Sequence, residues 1–186
     1  SEADEFVSLV AHELGVSKPL VESGIASLEG AGEVYREGES ALYLAPFYHA
    51  ERGVARRLCQ LAHAKMWALD SLSEEELAQA QARAGIRLAD QQRAAVMKAF
   101  QTGVMVMTGG PGTGKTTTLR LIIDLFEARK MRVLLAAPTG RAAKRLSEAT
   151  GRSARTIHRL LEFEPGEEGW RFGRGAANPL ECDLLV

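Results

Sequence analysis

Cysteine is scarce: Cys59 and Cys182 are the only two in 186 residues. They stand far apart and lack metal-ligand spacing, which excludes a disulfide scaffold and a cysteine-built metal centre. Two buried free thiols in a reducing compartment are the expectation. Net charge is scarce as well. Lys and Arg total 23 against 24 Asp and Glu, leaving −1, so any attraction to a polyanion must come from local charge distribution. No apolar run approaches the roughly 20 residues a membrane helix needs, and no secretory leader pattern is visible. The expected setting is cytoplasmic, with no membrane partner. Internal repeats, low-complexity tracts and the carboxylate cluster of a nuclease are missing too. What remains is a chain with 46% hydrophobic residues. That is enough for one packed domain of ordinary size with a small companion.

One stretch organises the rest. Thr108–Thr118 contains the pattern G-x-x-x-x-G-K-[ST], from Gly109 to Thr116. Val104-Met105-Val106-Met107 precede it, an apolar run that predicts a buried strand. Leu119, Ile122, Ile123 and Phe126 follow at helical spacing. Glycines let successive N–H groups turn inward on a phosphate. The new helix adds its positive end. Lys115 can reach the β- and γ-phosphates, and the Thr116 hydroxyl can ligate Mg²⁺.

The flanking chain reads as three parts. Residues 1–53 predict a winged-helix-like domain. Phe6, Leu9, Val10 and Leu14 form one helical stripe ended by Gly15. Ser17 and Pro19 open a second helix carrying Val21, Ile25 and Leu28. Two short runs around Glu37-Gly38 then form a hairpin, its second run starting at Ser40. The second helix sets Lys18 against Glu22 and Glu29, a poor reader of base edges. Packing or docking is therefore the leading role for this unit, and DNA reading the other. Residues 54–85 predict a helical connector, with an apolar stripe from Val54 through Leu58, Leu61, Met66 and Leu69, then a helix capped by Ser71 or Ser73. Arg52, Arg56 and Arg57 read as a solvated face.

Residues 86–186 predict an α/β domain with a parallel sheet. Asp90 is expected to cap its first helix. Arg132–Ala137 is a second strand, and a strand–helix–strand crossover implies parallel pairing. Asp183–Val186 opens a third apolar run, which leads us to expect a piece of a larger protein. After the second strand come Pro138, Thr139, Gly140 and Arg141, at the edge where parallel sheets hold ligands. Ala142, Leu146 and Ala149 are expected to face inward on the following helix. From Arg129 to Arg159 nine basic residues face one acid, Glu148. That is a local positive field suited to a phosphate backbone. Thr156 caps a short helix holding His158, and a hairpin spans 163–172.

Taken together, Leu-x-x-x-Gln-Arg-x-Ala-Val around Gln92, the glycine loop, Ala-Pro-Thr-Gly-Arg-Ala-Ala-Lys-Arg-Leu and Thr-Ile-His-Arg-Leu-Leu resemble the opening motifs of RecD-like DNA helicases of superfamily 1. The resemblance runs in order from Leu88 to Leu161, and the segments before it are similar to what precedes the motor in that family. It implies a RecA-like P-loop NTPase domain and 5′ to 3′ movement on single-stranded DNA in repair or recombination. It implies an ATP site of Gln92, Gly110, Gly112, Thr113, Gly114, Lys115, Thr116 and Thr117. Gln92 would select adenine, Lys115 and Thr116 would act in catalysis, and Thr116 would hold Mg²⁺. It implies DNA contacts at Pro138, Thr139, Gly140, Arg141, Thr156 and His158, and a 163–172 hairpin that meets the single-strand/double-strand junction. A monomer completed by a second RecA-like domain is expected. The family's acidic motif and arginine finger are not among these residues, so this chain alone is expected to bind nucleotide weakly without turning it over. Two other readings stay open: another P-loop NTPase, and a winged-helix DNA-binding regulator.

Overall fold

The computed structural model describes residues 2–38, 41–64, 70–166 and 169–186. Ser40, Met66, Leu69 and the hairpin-tip residues Glu167 and Glu168 lie outside them. The chain forms two compact units, Ser1–Ala64 and Lys65–Val186.

The first unit runs α1 (Glu2–Leu14), α2 (Lys18–Gly30), β1 (Val34–Glu37), β2 (Ala41–Leu44) and α3 (Ala45–His63). Gly15 ends α1 with φ 65, a left-handed stop that glycine adopts without strain. Val7 and Ala11 of α1 pack on Val21 and Ile25 of α2. β1 and β2 pair antiparallel, Val34 opposite Leu44. Helix begins directly after β2, well before Val54. Pro46 stands in its first turn, where a missing N–H costs nothing.

The second unit holds α4 (Glu74–Ala84), α5 (Asp90–Ala99), α6 (Lys115–Ala128), β3 (Val133–Ala137), α7 (Gly140–Thr150), β4 (Ala154–Thr156), α8 (Ile157–Leu160), β5 (Phe163–Gly166), β6 (Gly169–Phe172) and β7 (Leu184–Leu185). Its sheet has the order β4-β3-β7, all parallel. The crossover β3–α7–β4 places α7 against both strands. α6 is the centre of the core. Leu121, Ile122, Leu125 and Phe126 pack with Leu72, Leu77, Val96 and Phe100, so α4 is a core element of this unit.

In α1, Phe6, Leu9 and Leu14 stay exposed while Val7 and Ala11 form the buried face, and in the second unit three further details differ from the sequence expectation. Val104–Met107 forms no strand, and none of its backbone groups enters a ladder among the described residues. Met105 still packs on the core, but Val106 is 83% exposed. An apolar run becomes a strand only when a neighbour supplies ladder bonds; here β3 is flanked by β4 and β7 instead. α7 buries Ala143 and Thr150 most deeply, with Ala142, Leu146 and Ala149 half-buried. The cap of α5 is Ala89, not Asp90: the Gln92 Oε1 accepts from the Ala89 N–H at 2.9 Å. No helix among the described residues is long and apolar enough to cross a membrane.

Candidate functional site

The glycine loop closes on itself through specific side chains. Gly112 and Gly114 both take φ 76, a region closed to most L residues. Gly114 is the N-cap of α6. The Thr113 hydroxyl donates to the Gly110 carbonyl at 2.9 Å, fixing the loop's width. The Lys115 Nζ donates to the carbonyls of Gly109 and Gly110, at 2.5 and 2.6 Å, so its ammonium lies across the loop. The Thr118 hydroxyl, fully buried, donates to Gly114 O at 3.0 Å and anchors the first turn.

Space around the loop fits an anion cradle. A Cβ on Gly109 would lie 2.8 Å from Thr113 Oγ1, and one on Gly114 would collide with Gln92 Nε2. Gln92 donates from that nitrogen to Thr113 O at 3.0 Å. One carboxamide therefore links the start of α5 to the loop. The first-turn N–H groups of α6 have no carbonyl four residues back within the helix, and with the helix dipole they favour a negative group at its mouth. Thr116 is exposed on that turn. Thr117 is exposed too and lines a cleft with Ala84, Ile86, Arg120 and Asp124. Among the described residues, no three His, Cys, Asp or Glu side chains converge on a metal-sized site.

The second set of candidates gathers at one sheet edge. β3 and β4 pair with Ala137 opposite Thr156, so the chain leaves both strands side by side. The Thr139 hydroxyl caps α7 by accepting from Ala142 N at 3.2 Å. The Thr156 hydroxyl caps α8 by accepting from Arg159 N at 3.2 Å. Both hydroxyls thus hold helix starts in place. Pro138, Thr139, Gly140, Arg141 and His158 are all exposed, with Thr156 half-buried.

The basic run is less uniform than its count suggests. Arg152 pairs with Asp124 and Glu127, and the Glu127 carboxylate chiefly pushes its guanidinium pKa up. Arg132 pairs with Glu181 at 2.7 Å and Arg129 with Glu76 at 3.0 Å. These three hold elements together. Arg141, Arg145, Arg155 and Arg159 are exposed and enter no ion pair among the described residues. The unpaired cations thus cluster on α7, β4 and α8, with Lys130 also exposed just after α6. Of the two free cysteines, Cys59 is exposed and not buried as expected, because α3 has no neighbour over that face among the described residues. Cys182 is half-buried, and burial pushes its thiol pKa up.

Sequence reasoning missed the base of the hairpin. Glu162, Gly173, Arg174 and Asn178 bind one another there. The one available signal was Gly-Arg-Gly directly after Phe172.

A closed glycine loop opening a buried helix, beside a parallel sheet with helix starts at one edge, defines a P-loop α/β domain. The chain belongs to the AAA-domain family, whose model matches residues 92–186, and within it the chain is RecD-like. It is 37% identical over 164 residues to the ATP-dependent RecD2 DNA helicase of Deinococcus radiodurans, covering 84% of this chain and 21% of that protein. It is 42% identical over 120 residues to the RecBCD enzyme subunit RecD of Mycolicibacterium smegmatis, covering 52% and 22%. The ATP-dependent DNA helicase dda of Enterobacteria phage T4 is 41% identical over 73 residues, covering 38% and 17%. The chain spans about one fifth of the length of these relatives.

Proposed function

We propose that this chain is the opening part of an ATP-driven motor that moves on single-stranded DNA, 5′ to 3′, and opens the duplex ahead of it. The observation that carries this reading is the pairing of two sites on one unit: a closed glycine loop around Lys115, and two capped helix starts presented side by side by β3 and β4.

In this reading the second unit is the first RecA-like domain of the motor. The loop N–H groups of 112–116 and Lys115 bind the phosphates of ATP. Lys115 swings off the Gly109 and Gly110 carbonyls to do so. Gln92 holds the adenine while keeping α5 tied to the loop. Thr116 would hold Mg²⁺, and the ion when bound would supply charge neutralisation at the γ-phosphate. Pro138, Thr139, Gly140, Arg141, Thr156 and His158 lie along the DNA, with the exposed arginines of α7, β4 and α8 drawing the backbone in. Grip on phosphates gives little sequence preference and strong salt dependence. The 163–172 hairpin meets the fork as a separating pin. The acid that positions water, the arginine at the γ-phosphate and a second RecA-like domain come from the remainder of the protein, which acts as a monomer.

The first unit we read as winged-helix-like, serving to dock. Its α2 turns Val21 and Ile25 inward. Glu29 is engaged by Arg36 at 3.0 Å, leaving few donors for base edges.

ATP hydrolysis by the full-length protein, with and without single-stranded DNA and beside Lys115→Ala, tests the whole reading. Strong stimulation by DNA, reduced at least 100-fold by the substitution, is the expected result. Hydrolysis indifferent to DNA would move the protein to the wider class of P-loop NTPases. Binding to one specific duplex, insensitive to ATP, would favour a winged-helix regulator instead.

A further inference from the structure

A two-stranded hairpin is marginal on its own in water. The 163–172 hairpin has four paired positions, from Phe163 opposite Phe172 to Gly166 opposite Gly169. Its root is built to hold it. Pairing continues past the ladder, with Gly173 N donating to Glu162 O at 3.0 Å and Arg174 N to Leu161 O at 3.1 Å.

Side chains then lock Glu162, Gly173 and Arg174. Arg174 reaches back across the root, its Nε and Nη2 both 2.8 Å from Glu162 Oε1. Its Nη1 extends to Asn178 Oδ1 at 3.3 Å and Pro179 O at 3.5 Å. Asn178 Nδ2 returns a bond to Gly173 O at 2.9 Å, and the backbones of Gly175 and Asn178 bridge each other. Arg174 therefore joins both hairpin roots to the segment leading away toward β7.

Two features show that this arrangement is constrained. Glu162 holds φ 55, a left-handed conformation that costs a side-chain-bearing residue free energy. Gly173 has no room for a side chain: a Cβ there would lie 2.8 Å from Glu162 Oε2 and 2.9 Å from Glu162 Cβ. An exposed ion pair alone contributes little. Strain at Glu162 and close approach at Gly173 persist only where the surroundings over-determine the root.

On the other side the root meets α8. The His158 ring lies edge-on to Phe163 at 5.2 Å, and Phe163 packs on Phe172 at 4.7 Å. α8 starts at the Thr156 cap, directly on the sheet edge. Hairpin, α8 and β4 thus form one mechanical piece.

We propose that Glu162, Arg174 and Asn178 form a positioning clasp that fixes the hairpin's angle to α8, so that movement of the DNA-facing edge is delivered to the hairpin tip as strand separation. The proposal rests on the motor reading given above. Among the described residues, the side-chain bonds of the three stay at the hairpin root and the segment after it and reach none of the candidate ATP or DNA side chains, so the clasp governs how much duplex opens per ATP and leaves hydrolysis alone.

The test uses the full-length protein with Arg174→Gln, Glu162→Arg and the double exchange Glu162→Arg/Arg174→Glu. Three quantities are measured: base pairs opened per ATP on a forked duplex, DNA-stimulated ATPase, and affinity for single-stranded DNA. Each single variant is expected to lose roughly tenfold or more in base pairs per ATP, since misplacement by about an ångström is costly where geometry matters. ATPase and affinity stay within about twofold of the parent. The double exchange regains most of the coupling. Unchanged coupling in the singles overturns the clasp, and so does a parallel fall in all three quantities that the exchange fails to reverse. If the unsubstituted protein shows no DNA-stimulated hydrolysis, the motor reading itself fails and the clasp with it; intact stimulation with coupling indifferent to the singles fails the clasp alone.

Discussion

Helices α3 and α6 make the same promise in sequence and meet opposite fates. Both carry an apolar stripe. α6 buries Thr118, Leu121, Ile122, Ile123, Leu125 and Phe126. α3 is longer, at 19 residues, and has no buried residue; Phe47, Val54, Leu58 and Leu61 all stay exposed. The difference lies in neighbours. α6 is enclosed by α4, α5, α7 and β3. Among the described residues, α3 packs chiefly on the β1–β2 hairpin, where Tyr35 stacks on Tyr48 at 4.4 Å and Arg52 sits over the Tyr48 ring. Periodicity says which side chains share a face; it does not say whether anything covers that face.

That contrast makes the largest prediction. Ile123→Ala and Phe126→Ala should each destabilise the second unit by about 3–5 kcal/mol, because a buried truncation loses transfer free energy and leaves a cavity. Leu58→Ala on α3 should change stability by about 0.5 kcal/mol or less, as exposed substitutions do. Urea unfolding followed by a probe in each unit reads both. A loss at Leu58 equal to that at Ile123 would mean the α3 stripe is covered in solution, and the contrast between the helices would collapse.

A second comparison sharpens the first at glycines of like conformation. Gly15 in the first unit and Gly114 in the second both have positive φ, 65 and 76. A Cβ on Gly15 meets nothing within 4 Å, whereas one on Gly114 runs into Gln92 Nε2. Gly15→Ala should therefore cost only left-handed strain, about 1–2 kcal/mol, and leave nucleotide binding untouched. Gly114→Ala carries the same strain and also breaks the Gln92 bond to Thr113 O. Titration with a fluorescent ATP analogue should show binding weakened about tenfold or more, the combined effect of losing one hydrogen bond and the loop's shape. Equal binding by the two variants would separate Gln92 from the loop.

Much of the second unit was legible from the chain. Gly109–Thr116 announced the loop, and the spacing of Ile122, Ile123 and Phe126 announced its helix. Leu121 and Leu125 were not announced, because their burial depends on Leu77 and Ala80 of α4, a helix that reads as mostly Glu, Ala and Gln. Val104–Met107 read as a strand because composition cannot reveal a missing ladder partner. β4 went unread because three residues carry too little pattern for a strand. The charge count from Arg129 to Arg159 overstated the field, since the acids that neutralise Arg129, Arg132 and Arg152 lie elsewhere in sequence, at Glu76, Glu181, Asp124 and Glu127. The clasp at Glu162 was invisible for the same reason: its partners stand 12 and 16 residues on, at Arg174 and Asn178, and only folding shows that they meet.

Helix starts give the smallest and most pH-dependent difference between the units. Ser17 stands at the cap of α2 without a side-chain bond. Ser73 at α4 makes a full reciprocal box: its hydroxyl accepts from Glu76 N at 3.1 Å, and its N–H donates to Glu76 Oε2 at 2.9 Å. Arg129 adds bonds to both Glu76 oxygens. The Ser73 N–H first, and the Arg129 guanidinium second, hold the Glu76 carboxyl below its ordinary pKa. The folded value thus lies below the unfolded one. The stability it contributes is fully present above the unfolded carboxylate range, about pH 4.3, and is lost as pH falls through the folded value. Caps of this kind contribute about 1 kcal/mol, and solvent screening of a half-exposed carboxylate reduces that. At pH 7 Glu76→Gln should lower the denaturant midpoint of the second unit slightly, whereas Ser17→Ala should leave the first unit almost unmoved. As pH falls below 4 the gap between Glu76 and its Gln variant should close. A gap that widens on acidification would reverse the sign and show that the box stabilises the protonated acid instead.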